Sequence, residues 1–209
     1  MIVLPAIDSS QSTLALWALV GYGVGSVPFG LLLVRLMKLG NLRQIGSGNI
    51  GATNVLRTGN KTAAALTLLL DGGKGALAVF FAHSFAGDAT AQIAGLFAIF
   101  GHCYPAWLFF KGGKGVATLL GVLLALNFTV GVASCATWIS ITILKRISSL
   151  SALVAVVSSI LWSIVFEQQS LIALCIILNV LVFWRHQENI SRLLSGKEPT
   201  LSKSKEIDT

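Results

Sequence analysis

The chain of 209 residues is 55% hydrophobic and only 11% charged, with a mean hydropathy of +0.81 and a formal charge of +7. Soluble domains carry roughly 25% charged residues, so this composition excludes a soluble globular protein and indicates an integral membrane protein. One crossing takes about 20 mainly apolar residues for a hydrocarbon core roughly 30 Å thick. The apolar length therefore allows five to seven spans and leaves little for an extramembrane domain.

Residues 1–11 lack the basic start of a signal peptide, and the run over 12–37 is too long for a signal core, so an uncleaved first helix is predicted. Within it, the glycines of Gly21-Tyr22-Gly23-Val24-Gly25 are suited to close helix packing, and Pro28 predicts a kink. Further apolar runs lie at 62–86, 89–110, 116–126, 128–144, 151–166 and 170–184. Seven crossings with the N-terminus outside place Lys38, Arg43, Arg57, Lys61, Lys111, Lys114, Lys145, Arg146, Arg185, Arg192, Lys197, Lys203 and Lys205 on one side. The opposite segments, around 83–88, 127 and 167–169, then hold no Lys or Arg. That asymmetry predicts an outside N-terminus and a cytosolic C-terminus. It also favours two short spans that break near Asn127 over one long span across 116–144, which would carry the basic tail outside. The predicted fold is thus all-α, a single polytopic membrane domain over 1–194. A polar, disordered cytosolic tail is expected over 195–209.

Cys103, Cys135 and Cys175 have neither paired nor metal-ligand spacing, so no disulfide and no metal site is predicted. Asp71 and Lys74 interrupt the run over 62–86, and intramembrane charges are functional by default. Two arrangements are open: an ion pair three residues apart on one helix face, or a helix broken at Gly72-Gly73. The pattern His83-x-x-x-x-Asp88 matches a motif of a large enzyme family, but it falls on an outside turn away from every basic loop and is assigned no role.

The predicted inside loops carry the chemistry. The first, from Gly46 through Ser47, Gly48, Asn49, Thr53 and Asn54 to Arg57, combines glycines that let backbone N–H groups converge, neutral donors and one arginine able to grip a phosphate. The second, Lys111-Gly112-Gly113-Lys114-Gly115, runs into a helix N-terminus and has the character of a phosphate site. It is not a nucleotide-binding P-loop, since Leu108 and Gly115 stand where that pattern needs Gly and Ser or Thr. His102 precedes it at the edge of a span. The third, around Ser148 and Ser151, is basic and hydroxylic. In the fourth, His186 and Asn189 share a helix face, while Glu188 and Arg192 form an i, i+4 pair.

These segments, with Gly25 to Gly30 and Asp71 to Gly75, resemble in order and spacing the bacterial acyl-phosphate-dependent glycerol-3-phosphate acyltransferases, the PlsY family, over residues 25–194. The resemblance implies seven spans in the bacterial cytoplasmic membrane and an active site on the cytosolic face. It implies acyl transfer from acyl phosphate to the 1-hydroxyl of sn-glycerol 3-phosphate, yielding lysophosphatidic acid and phosphate for phospholipid synthesis, with no cofactor or metal. By the same resemblance Ser47, Arg57, Lys111, His186 and Asn189 are the expected catalytic residues. Gly48, Asn49, Thr53, Asn54, His102, Gly112, Gly113, Lys114, Ser148 and Ser151 are expected to bind substrate, with Asp71, Lys74 and Glu188 in support.

Without a Ser–His–Asp set in these loops, direct attack by the glycerol hydroxyl is expected, with His186, His102 or a substrate phosphate as base. The expected partners are the two substrates, the bilayer and neighbouring phospholipid-synthesis enzymes, with no nucleic acid, and the expected state is a monomer. The alternative from another class is a small anion or phosphate transporter. That architecture favours midplane binding groups and an internal repeat, and no repeat is visible here.

Overall fold

The structure is a computed structural model and describes residues 4–201. Among the described residues the chain is helical throughout its regular structure, with no strand. Helix α1 (Gln11–Gly25) starts at Ser10, whose Oγ accepts the Thr13 N–H at 3.2 Å. It passes through the expected break before Pro28 into α2 (Phe29–Leu36). Proline has no N–H to continue the helical ladder, and at the break the Val27 carbonyl accepts the Phe29 N–H at 3.2 Å and can accept a side chain as well.

A short α3 (Ala52–Leu56) precedes α4 (Lys61–Cys103), where the helix is continuous through Gly72-Gly73. Of the two arrangements open for Asp71 and Lys74, the helical pair is therefore the one adopted. The break lies at Gly87, with φ +78° and ψ −174°, in the turn expected between the runs over 62–86 and 89–110. At this point α4 folds back on itself. A Cβ placed on Gly95 would lie 3.0 Å from Val79 Cγ2, whereas 16 residues of straight helix would separate the two positions by about 24 Å. The runs over 62–86 and 89–110 are thus two antiparallel arms of one hairpin. His83 and Asp88 flank its tip, with Nε2 and Oδ1 3.0 Å apart and both side chains exposed.

Helices α5 (Val116–Leu126) and α6 (Phe128–Lys145) divide at Asn127, as the charge asymmetry required. Asn127 is extended, at φ −152°, and its Oδ1 caps α6 by accepting the Val130 N–H at 3.0 Å. Then follow α7 (Ser148–Val165), α8 (Gln169–Arg185) and the short α9 (Gln187–Leu194), bent 68° from α8 at His186.

Among the described residues four stretches are long and apolar enough to cross a bilayer: 11–36, 61–108, 128–145 and 148–165; α8 with α9 makes a fifth if the bent pair counts as one. Lipid is as apolar as leucine, so helices in it associate through close packing rather than through burial from water. The exposed Leu19, Phe85, Ile143 and Val180 accordingly face outward at no cost. Contacts within the bundle depend on small residues. A Cβ on Gly25 would lie 2.0 Å from the Ala98 carbonyl oxygen, and one on Gly121 2.0 Å from that of Gly72. Only glycine lets α1 and α5 approach the α4 hairpin this closely, and that hairpin carries much of the site.

Candidate active site

A cavity of about 1170 Å³ opens among the loops. Its inner wall is apolar, from Leu68 and Leu69 of α4, Leu120 and Leu124 of α5, and Trp138 and Ile139 of α6. The rest of its lining is polar and charged, with Arg57, Lys114 and Arg192 alongside Asp71, Glu188 and Glu198.

The first loop is held by its own side chains. Asn54 is 2% exposed; its Nδ2 donates to the carbonyls of Leu42 at 3.1 Å and Asn49 at 2.8 Å, and its Oδ1 accepts the Ser47 N–H at 3.2 Å. Asn49 Oδ1 accepts the Gly51 N–H at 3.0 Å. Both asparagines, expected at substrate, line the cavity but engage these groups in shaping the loop. A Cβ on Gly46 would lie 2.6 Å from Arg57 Cδ, so that glycine makes room for the arginine. Ser47, Thr53 and Arg57 reach the cavity wall; Gly48 does not. Thr53 Oγ1 and Ser148 Oγ, 2.8 Å apart, tie α3 to the start of α7.

The glycine-rich loop has a different geometry from the one its composition suggests. The N–H groups of Gly112 and Gly113 donate to the carbonyls of Cys103 at 3.1 Å and His102 at 2.9 Å, the unpaired end of α4, and so are not presented to a ligand. The glycines are needed for space. A Cβ on Gly112 would lie 2.1 Å from the His102 carbonyl oxygen, and one on Gly113 2.0 Å from His102 Nε2. The loop's own carbonyls are clamped from outside. Arg185 donates through Nε to Gly113 O at 3.0 Å and through Nη2 to Gly112 O at 3.3 Å, while Arg43 donates to Lys111 O. Arg185 also lies over the Tyr104 ring, at 5.1 Å. Sequence reasoning counted Arg43 as topological charge and left Arg185 out of the site. A carbonyl clamp leaves no local sequence pattern.

The two lysines of the loop diverge. Lys111 is exposed and does not line the cavity, whereas Lys114 does, half-buried, with its ammonium donating to Asn189 Oδ1. Burial lowers Lys114 to about 8, with Arg192 and Arg185 acting in the same direction against the attraction of Glu198 and Glu188. A lysine in that range is a cation at neutral pH that a ligand phosphate would strengthen.

Asp71, Lys74 and His102 form a buried knot between the arms of α4. Lys74 Nζ donates to Asp71 Oδ1 at 2.7 Å, to the Val27 carbonyl at the α1 break at 2.8 Å, and to His102 Nδ1 at 2.9 Å. Three acceptors satisfy all three ammonium hydrogens, the condition for keeping such a charge in a bundle. Lys74 itself does not line the cavity, while Asp71 and His102 do. Because Nδ1 of His102 accepts, its Nε2 carries the proton. His186 is the converse case: Nδ1 donates to the Val182 carbonyl at 2.8 Å, leaving Nε2 with a lone pair. Neither pairing has the serine–histidine form of an activated nucleophile.

Helix α9 adds Asn189 and Arg192 to the wall beside His186. The Glu188–Arg192 pair is present but exposed and long, at 3.9 Å. Arg192 is held instead by Glu198, Nε to Oε2 at 2.7 Å. Ser151 donates to the Ile147 carbonyl at 3.0 Å within its own helix and does not line the cavity, where Ser148 and Ser149 stand instead. Glu198, Arg192 and Ser149 were missed by sequence reasoning, because their convergence depends on the bend after α8 and the return of the chain beyond α9.

The structure is thus a helical membrane protein whose cavity joins a polar, charged lining with Arg57, Lys114 and Arg192 to an apolar wall. Comparison with known proteins narrows that class. A family model described as glycerol-3-phosphate acyltransferase matches residues 15–196. The glycerol-3-phosphate acyltransferase of Ruegeria pomeroyi is 58% identical over 95% of this chain and 98% of its own, and that of Roseobacter denitrificans is 55% identical over 95% and 100%. Two crystal structures of PlsY, an integral membrane glycerol 3-phosphate acyltransferase, are similar in fold. The glycerol 3-phosphate form has a TM-score of 0.84 at 38% identity, and the lysophosphatidic acid form 0.81 at 36%; both matches cover 90% of this chain and 94% of the other. The chain belongs to the glycerol-3-phosphate acyltransferase family.

Proposed function

We propose that the protein transfers a fatty acyl group from acyl phosphate to the 1-hydroxyl of sn-glycerol 3-phosphate, releasing lysophosphatidic acid and inorganic phosphate. The observation that carries this reading is the single cavity in which Arg57 and Lys114 share space with the wall of Leu120, Leu124 and Trp138. Two phosphates and one acyl chain are the chemistry such a cavity suits.

Two anions that repel each other must be held together. Arg57 and Lys114 can each supply charge-assisted hydrogen bonds, with Ser47, Thr53 and Ser148 as neutral donors. Lys114 takes the role expected of Lys111, because Lys114 is the lysine at the wall. Asn189, fixed by Lys114 on one side, orients the headgroup. The hydroxyl oxygen attacks the acyl carbon directly, the bond from that carbon to the phosphate oxygen breaks, and the proton passes to the departing phosphate. His186, with its free Nε2 lone pair, accepts a hydrogen bond from the attacking hydroxyl. His102, with Nε2 protonated, can only donate. No acyl-enzyme is formed.

Residues 1–194 act in this reading as one monomeric membrane domain with seven crossings, a cytosolic site and an outside N-terminus in the bacterial inner membrane, beside enzymes that consume its product. Family membership and the absence of a visible repeat both weigh against the transporter alternative.

Purified protein supplied with acyl phosphate should release phosphate only when glycerol 3-phosphate is present, and acyl-coenzyme A should not replace the donor. Turnover from the thioester, or a trapped covalent acyl-enzyme in a single turnover, would refute the assignment.

A further inference from the structure

Beyond α9 the chain turns back across the polar end of the cavity. The Gly196 N–H donates to the Leu193 carbonyl at 3.1 Å and that of Lys197 to the Arg192 carbonyl at 2.8 Å, with Gly196 at φ +69°. On the far side the Leu201 N–H donates to the Arg146 carbonyl, at 2.8 Å, in the connection between α6 and α7. The segment between these anchors, which sequence reasoning assigned to the tail, lines the cavity with Glu198, Pro199 and Leu201. The rest of that expected tail, 202–209, lies outside the described residues.

The Glu198 side chain is 7% exposed. One carboxylate oxygen accepts from Ser149 Oγ at 2.7 Å and Asn189 Nδ2 at 2.5 Å, the other from Arg192 Nε at 2.7 Å. Burial alone would raise this carboxyl, but the three donors overcome that and hold it below the usual range. Asn189 joins the two charges, giving its carbonyl to Lys114 and its amide to Glu198. A hydroxyl, an amide and a guanidinium aimed at two anionic oxygens form a set that a phosphate would occupy in the same way. Glu198 also stands just past the family-matched segment, which ends at residue 196.

We propose that Glu198 is a specificity-determining residue: its carboxylate occupies the Ser149–Asn189–Arg192 donor set in competition with a substrate phosphate, so that the segment 196–201 sets the affinity of the site. This deepens the acyl-transfer reading and rests on it. A tethered group competes at an effective concentration of the order of millimolar. A free carboxylate of the same charge, such as a fatty acid anion, gains little by displacing it. A phosphate monoester, with close to two charges at neutral pH, has the advantage. The cost to substrate is a reduced apparent affinity, in proportion to the fraction of molecules with the donor set open.

The test uses the full chain in detergent and compares wild type with Glu198→Gln. KM is measured separately for acyl phosphate and for glycerol 3-phosphate, alongside inhibition by inorganic phosphate and by decanoate. In Glu198→Gln the KM for one substrate and the inhibition constant for inorganic phosphate should both fall about three- to tenfold without loss of kcat, and decanoate should become the better inhibitor. The substrate whose KM falls identifies the phosphate that this donor set takes. Unchanged constants would overturn the proposal, and so would a fall in kcat at unaltered KM, which would make Glu198 a positioning residue for Asn189 and Arg192. Should Glu198→Gln not fold, Glu198→Asp retains the charge on a shorter reach and should move the constants the same way. If wild type shows no acyl transfer, the acyl-transfer reading fails by itself. Calorimetric titration of inorganic phosphate into wild type and variant then still decides the competition.

Discussion

Lys74 and Lys114 both donate to side chains, and they end in opposite situations. Lys74, 4% exposed, spends its three hydrogens on Asp71, the Val27 carbonyl and His102, all parts of the folded bundle. Lys114 is half-buried, touches Asn189 and reaches Glu198 only through it, with groups drawn from a loop, a short helix and the returning chain end. A charge whose partners are all rigid and internal is structural. Lys74 stands behind its wall-lining partners Asp71 and His102, whereas Lys114 is itself on the cavity wall, where it can exchange a partner for a ligand.

The comparison breaks most readily at Lys74. Lys74→Met would strand a buried carboxylate at a cost of about 3–5 kcal/mol, and a lower yield and unfolding temperature of purified protein would register it. Adding Asp71→Asn should recover much of that loss, because removing both charges is tolerated where removing one is not. Recovery failing would mean that Lys74 is held for some other reason. Lys114→Met should do the reverse, lowering kcat/KM about ten- to a hundredfold through a lost charge-assisted hydrogen bond while leaving thermal unfolding near wild type. Lys111→Met, altering an exposed side chain off the wall, should cost far less.

A smaller effect is expected at the loop between them. Gly113→Ala drives a methyl into His102 Nε2 and should lower turnover about tenfold by shifting the loop. Gly23→Ala, where a Cβ meets nothing within 4 Å, should be silent in the same assay. Smallest is the pH effect. Lys114 is a cation below its value of about 8 and loses charge above it, so kcat/KM should decline by up to about tenfold per unit above pH 8. In Lys114→Arg, which keeps its charge past 12, that decline should move to higher pH or vanish.

Much of this was legible in advance, for reasons that differ by residue. The break at Asn127 followed from charge asymmetry alone, and the Pro28 break from proline's missing N–H. The loop around Ser47 to Arg57 announced itself by its density of small polar groups. Gly112 and Gly113 turn their N–H groups to the end of α4 and stand off the cavity wall, a use that was not foreseen: a glycine that frees a backbone donor and one that yields space look identical in sequence. The reversal at Gly87 falls in the turn expected between the runs over 62–86 and 89–110, whereas the course of the helix through Gly72-Gly73 had stayed open, because two glycines permit either a break or a close approach.

Hydropathy and the placement of lysines and arginines, both additive along the chain, were enough to determine the helical class and the order of the apolar segments, while the family resemblance rested on the ordered motifs of the loops. Packing decided the rest. That Lys74 is structural and Lys114 faces the cavity, that Arg43 and Arg185 clamp the glycine-rich loop, and that Glu198 returns to the donors of α7 and α9 all depend on contacts between residues dozens of positions apart. Such contacts are settled by how the helices close on one another, and no stretch of the sequence carries them alone.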